Sequence, residues 1–459
     1  MKRARLIRGL LLAAALTACG APQATPSAPE ATRDASPGPS ASPSQVPTAN
    51  ASVQPSPSAS TTSTPTDART VGWRSDLALL VPEMDACHPQ LDHGVSIEEL
   101  DAAVSQLSAQ VPSTTDDELM VGVLRIVAMV SADGCDAHTG AYVWGNGTYP
   151  LDSMPLRLWL FDEGVYIVDA LPPYENLIGA RVDGLASRAM DEVLQVIDPI
   201  VPRDNDQTVA LLMPRFLLIP QVLRGLGLLI DDGPIALAIV DAQGNSSDVA
   251  IEPIAMADYN SWAGGYGLHL PTDPGVPYVS RIGEALWVDG PDADGTVFVQ
   301  YNRVEFIGLS EVTAALADPA TKRVVLDVRH NYGGEVSALD PVIDDFTAYA
   351  ASHPGTLYLV TGRNTFSAGS LLVARFDAQT DAVIVGEPMG GCPTAWGDDE
   401  GFDLPYSGIS VTASTFFEIG VDPEDARLTV QPDLPARLTP TGWAAGVDPA
   451  LDAIRATNP

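Results

Sequence analysis

Two apolar runs that break off into glycine constrain this chain more than anything else in it. The first is Val324-Val325-Leu326-Asp327-Val328-Arg329-His330-Asn331-Tyr332-Gly333-Gly334. The second starts near Thr356 and leads to Thr365-Phe366-Ser367-Ala368-Gly369-Ser370, with Gly386-Glu387-Pro388-Met389-Gly390-Gly391 following a third run. Each has the composition of a buried strand that delivers a loop of small residues, where backbone amides can approach a ligand. Leu371 to Phe376 reads as a helix packed behind the second loop. Ser367 therefore stands on a strand-to-helix turn, near the positive end of a helix dipole, a placement that exposes its hydroxyl and favours a nucleophile.

A serine hydroxyl attacks only when a base takes its proton and preorganised donors receive the oxyanion. Gly333 and Gly334 can present N–H groups without side-chain obstruction, and Ala368 supplies the amide directly after the nucleophile. These three are the candidate oxyanion hole. A Gly-Gly pair by itself is most often a tight turn; its neighbours are what give it a chemical reading.

These segments resemble the tail-specific, or carboxyl-terminal processing, serine peptidase family, which includes the tricorn protease core and the interphotoreceptor retinoid-binding protein repeats. The resemblance covers roughly Val71 to the C-terminus. Asp133-Gly134-Cys135-Asp136-Ala137-His138-Thr139 matches the family's Asp-Gly-His-Thr segment, Val299-Gln300-Tyr301-Asn302 a preceding strand, and Gln431-Pro432-Asp433-Leu434 with Gly446-Val447-Asp448-Pro449-Ala450-Leu451 the usual tail. The fold it implies is a mixed α/β domain with a substantially parallel sheet flanked by helices, a ClpP/crotonase-like core. It also implies a helical N-terminal subdomain and a small β-rich middle subdomain, in some members a PDZ-like module.

The resemblance divides at the general base. One branch of the family uses a lysine just after the Gly-Glu-Pro turn, but here Cys392 occupies that place and no lysine follows Lys322. A Ser-Lys dyad is thereby excluded. Tricorn-like members instead use a histidine from the N-terminal part and an acid from near the C-terminal end. His138 matches that histidine, and imidazole titrates near neutrality, as a general base requires. Glu424 and Asp425 lie at the family's distance beyond Ser367 and are the candidate orienting acids. Tyr301, Asn302 and Trp396 are candidate substrate contacts. Asn331, Asp327 and Arg329 read as scaffold that holds the glycine turn, and Ser370 departs from the glutamate found there in many members.

The N-terminus carries Lys2, Arg3, Arg5 and Arg8, then an apolar run from Gly9 to Ala15 that is far short of the roughly 20 residues a membrane-spanning helix needs. Leu16-Thr17-Ala18-Cys19 resembles a bacterial lipobox. Cys19 is therefore the expected lipidation site, placing the protein on the extracytoplasmic side of a bacterial cell membrane. Residues 1–19 read as a signal peptide, 20–69 as a Pro/Ser/Thr/Ala-rich tether, 70–150 as a helical subdomain, 151–275 as a β-rich middle subdomain, and 276–459 as the α/β catalytic domain. Helical spacing of Leu77, Leu80, Val81 and Met84, and of Leu119, Val123, Ile126 and Val127, supports the first folded part. Strands expected at Ala285 to Val288, Thr296 to Tyr301, Arg323 to Val328, Thr356 to Thr361 and Ala382 to Val385 support the last.

With 59 acidic against 24 basic residues in 459, the chain has a net charge of −35 and lacks the clustered cations that nucleic acid or anionic lipid would require. A peptide or protein substrate, basic or neutral, suits that balance. With Cys19 acylated, three cysteines remain for an oxidising compartment. Cys87 with Cys135 is the expected disulfide, and Cys135 with Cys392 the rival. No Cys-x-x-Cys or His-x-x-His spacing points to a metal, no cofactor is called for, and the sequence specifies no oligomeric state. Two functions follow: a serine peptidase working through Ser367 and His138, or a non-catalytic relative whose cleft binds a peptide or an apolar ligand. An esterase is a weaker third, as there is no Gly-x-Ser-x-Gly elbow.

Overall fold

Both N-terminal helices that follow the first carry their start signals in the sequence. Ser96 and Glu99 form a capping box for Ile97–Gln110, and Thr115 and Glu118 form another for Asp116–Ala128, each satisfying two backbone donors that would otherwise be orphaned. A cap of this kind contributes about 1 kcal/mol. A computed structural model describes residues 67–143, 149, 151–263 and 277–457 of the chain. The expected signal peptide, the tether and Cys19 lie outside the described residues. Among the described residues no helix is long and apolar enough to cross a membrane.

The first helix, Ala68–Cys87, buries Trp73, Leu77, Leu80, Val81 and Met84 along one face. They pack with Leu119, Val123 and Val127 of Asp116–Ala128 into a core that continues beneath an antiparallel sheet. That sheet runs in the order Leu156–Phe161, Gly164–Ala170, Arg181–Leu185, Ile235–Val240, Ser246–Ile251. Its strands alternate buried and less buried positions, as one-sided burial demands. The helix Met190–Ile197 buries Met190, Val193 and Ile197 against the same core.

The C-terminal half holds a six-stranded sheet in the order Leu286–Asp289, Thr296–Tyr301, Arg323–Asp327, Leu357–Thr361, Val383–Gly386, Leu434–Pro435. Only the first pair is antiparallel; the others run parallel. Arg323–Asp327 and Leu357–Thr361 are buried at every position, which is why they read as unbroken apolar runs rather than alternating ones. Helices Leu339–Ser352 and Ala368–Gln379 cover one face and Pro449–Ala456 lies over the other. The protein is thus a mixed α/β fold with a largely parallel sheet.

A third sheet is absent from the sequence reading. Strands Thr394–Asp403 and Ser410–Ile419 form a long hairpin, and Gly140–Tyr142 pairs with Ser410–Thr412 on its other edge. It joins the segment carrying His138 to the C-terminal half.

Candidate active site

Parallel strands end their loops on one edge of the sheet, and here three such loops are tied together. Asn331, after Arg323–Asp327, donates from Nδ2 to the Tyr301 carbonyl and accepts the Gly333 N–H on Oδ1 at 3.0 Å. Its own carbonyl accepts the Phe366 N–H, which ties the serine loop to the glycine loop. The Thr365 hydroxyl donates to the Val328 carbonyl, and the Thr365 carbonyl accepts the Gly390 and Gly391 amides. Asp327 and Arg329 act as scaffold: the Arg329 guanidinium bridges Asp327 at 2.5 Å and Asp448 at 2.8 Å, and so joins the glycine motif to the C-terminal tail.

Ser367 immediately precedes helix Ala368–Gln379 and has φ 54° and ψ −130°, a conformation non-glycine residues rarely adopt. Such strain survives only where surroundings over-determine it, and it is found at functional turns. The Gly333 backbone lies against this serine. A Cβ built on Gly333, where φ is +109°, would stand 2.6 Å from Ser367 Cβ and 3.0 Å from Oγ. Because the Gly333 N–H is committed to Asn331, it is not available to an oxyanion. Of the three expected donors, the Gly334 and Ala368 amides carry no such bond, and the bare Gly333 backbone leaves room for Ser367.

His138 stacks on Phe366, ring centroids 4.5 Å apart and planes inclined at 22°. Phe366 directly precedes Ser367, and His138 and Ser367 line one cleft of about 670 Å³. The carbonyl of His138 accepts from the Thr412 hydroxyl at 2.6 Å. Nδ1 is buried without a hydrogen-bond partner. It faces Gly397: a Cβ there would lie 3.9 Å from His138 Nδ1 and 3.4 Å from Glu418 Cγ. The missing side chain gives imidazole and glutamate a shared space, and Glu418 lines the cleft. Burial and the neighbouring Asp398 push the Glu418 carboxyl up, and His138 opposes them.

Glu424 and Asp425 are not at the cleft. Glu424 is exposed, its N–H bonded to Asp422. Asp425 holds Arg427 at 2.8 Å, an ion pair that draws its carboxyl below the ordinary range. The Pro-Glu-Asp-Ala-Arg segment is a surface turn, whereas Glu418, on the preceding strand, lies beside Gly397 with His138. Spacing alone pointed several residues too far. Of the expected substrate contacts, Asn302 lines the cleft, whereas Tyr301 is buried in the sheet core and Trp396 packs on His88, His93 and Phe417.

The disulfide is Cys135–Cys392, with Cα atoms 5.5 Å apart. This corrects the expected Cys87–Cys135 pairing. Gly134 and Cys135 both have positive φ and turn the chain toward the loop after Gly391, while Cys87 ends the first helix and is half-buried. Fully buried Asp204 reinforces the junction by accepting the Ala137 N–H at 2.6 Å and the Cys392 N–H at 3.2 Å. Burial pushes its carboxyl up to about 6, against the opposing influence of His138 and those two amides. Reduction of the bond is expected to cost about 2–5 kcal/mol, read as a lower Tm with reductant; an unchanged Tm after thiol titration has shown full reduction would refute this.

No protein-family model matches the chain. No curated protein matches it either. Solved structures do: mature CPAF complexed with lactacystin, at TM-score 0.55 and 12% identity, covers 82% of this chain and 96% of that one. A CPAF mutant gives TM-score 0.57 and 11% identity over 82% and 95%. The photosystem II D1 C-terminal processing protease aligns at TM-score 0.36 and 12% identity over 80% and 93%. This chain has the fold of the CPAF structures.

Proposed function

We propose that the protein is a serine peptidase in which Ser367 attacks the scissile carbonyl, His138 is the general base, and Glu418 orients it. The observation that carries this reading is the meeting of a strained serine, a stacked histidine and Gly334 in one cleft, with the Ala368 amide directly after the serine. In the reaction, His138 takes the Ser367 proton as Oγ bonds to the carbonyl carbon. The oxyanion forms against the two amides, and the imidazolium returns its proton to the leaving nitrogen. Glu418 shares the space beside Gly397 with His138 and is the acid placed to orient the ring. Glu335, Asp398, Asp399 and Glu418 line the cleft, while its Arg303 is paired with Glu305. That charge suits a basic stretch of peptide. The disulfide fits export to an oxidising compartment, the destination that the segment ending at Cys19 leads one to expect.

Labelling with a membrane-impermeant fluorophosphonate on intact cells tests site and location together. Wild type is expected to label, His138→Ala to lose labelling, and Glu418→Gln to slow it by about 10²-fold or more. Wild-type labelling in His138→Ala would overturn the mechanism. A folded wild type that does not label even after purification would favour a binding role for the cleft.

A further inference from the structure

The loop that carries His138 has a second anchorage with no part in the chemistry above. Asp136, two residues before His138, is completely buried and accepts four hydrogen bonds. Its Oδ1 takes the Ser414 hydroxyl at 2.5 Å and the Thr139 N–H at 3.2 Å. Its Oδ2 takes His88 Nε2 at 3.2 Å and His93 Nε2 at 3.0 Å. Both histidines come from the N-terminal helical region, and Trp396 of the hairpin covers them, with centroids at 4.7 Å and 5.4 Å.

Two histidines and an aspartate within reach of one another are also what a metal ion would use. The tautomers argue otherwise. His88 Nδ1 accepts the Gln90 N–H at 3.0 Å, so its one proton is on Nε2 and points at Asp136. A ligating histidine has the opposite arrangement, its distal nitrogen donating while the ligating one keeps its lone pair. His93 has a carboxylate at each nitrogen, Asp136 at Nε2 and Asp133 Oδ1 at 3.4 Å from Nδ1. Satisfying both takes two protons.

We infer that His88, Asp136 and His93 form a proton-held lock that positions the loop bearing the general base, with protonated His93 as its titrating member. The inference rests on the reading of His138 as that base. His93 and Asp136 are positioning residues; neither touches the reacting atoms. Charged and titratable groups face His93 from each element packed on it: Asp133 and Asp136 from the loop and His88 from its own segment, with Trp396 covering the ring. Burial disfavours a charged His93, but the bonds and fields of Asp136 and Asp133 outweigh it and raise its pKa. Burial likewise opposes the Asp136 charge, and His88, His93 and Ser414 overcome it, holding that carboxyl down to about 2.

The signs fix a pH window. A histidine with raised pKa stabilises the fold below its unfolded value, and that contribution is lost as pH rises through its folded value. An aspartate with lowered pKa stabilises above its unfolded value and fails as pH falls toward 2. The lock is therefore complete in mildly acidic solution and loosens on the alkaline side. There the loop holding His138 is freed, although the base itself needs to be neutral.

The test is the rate of fluorophosphonate labelling as a function of pH in the full chain, for wild type, His93→Gln and His138→Ala. Glutamine keeps a donor for Asp136 but cannot titrate. His93→Gln is expected to stay folded, to label more slowly by about tenfold or more, and to lack the alkaline decline expected of wild type. Labelling by His93→Gln with wild-type rate and pH profile, while His138→Ala is inert, would sink the lock alone. Unimpaired labelling in His138→Ala would sink the underlying mechanism. Stoichiometric zinc in the purified protein, removed by chelator together with labelling, would replace the proton with a metal. If His93→Gln changes only Tm, the role is structural and the inference fails.

Discussion

Alanine in place of Ser367 is expected to remove peptidase turnover by roughly 10⁴-fold or more, because no other group at the cleft can form the acyl intermediate. The fold should not follow. Ser367 makes no capping bond to its helix and lies in a turn whose neighbours carry the hydrogen bonds, so the substitution should change stability by less than about 0.5 kcal/mol. Alanine keeps the strained positive φ, whereas glycine relieves it. Ser367→Gly should therefore be equally inactive yet more stable than Ser367→Ala by about 1 kcal/mol. Turnover of a fluorogenic peptide carrying basic residues, read beside Tm, checks both halves. Residual activity in Ser367→Ala would end the assignment of the nucleophile, and equal stability of the two variants would mean the turn is not strained.

Gly333→Ala should be nearly as damaging for a different reason. The added methyl would stand 2.6 Å from Ser367 Cβ and 3.1 Å from the Ala368 amide, at a φ of +109° that alanine avoids. Either Ser367 moves away from His138 or the Asn331-held turn opens, and in both cases one or both oxyanion donors shift. A loss of about 10²–10³-fold in kcat is expected, the scale of deleting one such donor. A stability cost of about 1–3 kcal/mol should accompany it. Asn331→Ala frees the Gly333 N–H but leaves the space intact, so its effect on kcat should be smaller. A Gly333→Ala enzyme with wild-type kcat would show that the glycine is only a turn.

Much of the fold was legible because burial on both faces leaves a plain signal. The apolar stretches at Arg323–Asp327 and Leu357–Thr361, buried at every position, are the interior parallel strands expected there. Thr296–Tyr301 falls where the pattern placed it. The hairpin Thr394–Asp403 and Ser410–Ile419 was not legible. Its outer half is exposed and acidic, Asp398 to Glu400 and Asp403, and strands that face water carry little apolar pattern. Missing it meant missing Glu418, which pairs with Ala395 across the hairpin and shares the space beside Gly397 with His138. The disulfide was misread for a related reason. Cys135 and Cys392 are 257 residues apart, and only the turn of positive φ at Gly134 and Cys135 brings them together.

Local sequence determined what chemistry was possible: a serine on a strand-to-helix turn, a glycine pair after a buried strand, a histidine in a short polar loop, and no lysine to replace it as base. Those are properties of neighbouring residues and of backbone preference, which a chain carries before it folds. Tertiary structure decided which groups meet. Gly333 gives its amide to Asn331, Glu418 rather than Glu424 or Asp425 lines the cleft with His138, and His93 finds Asp136 across 43 residues. Such choices depend on packing between distant segments, where a shift of one strand or one turn changes every partner, and no local pattern in the sequence records them.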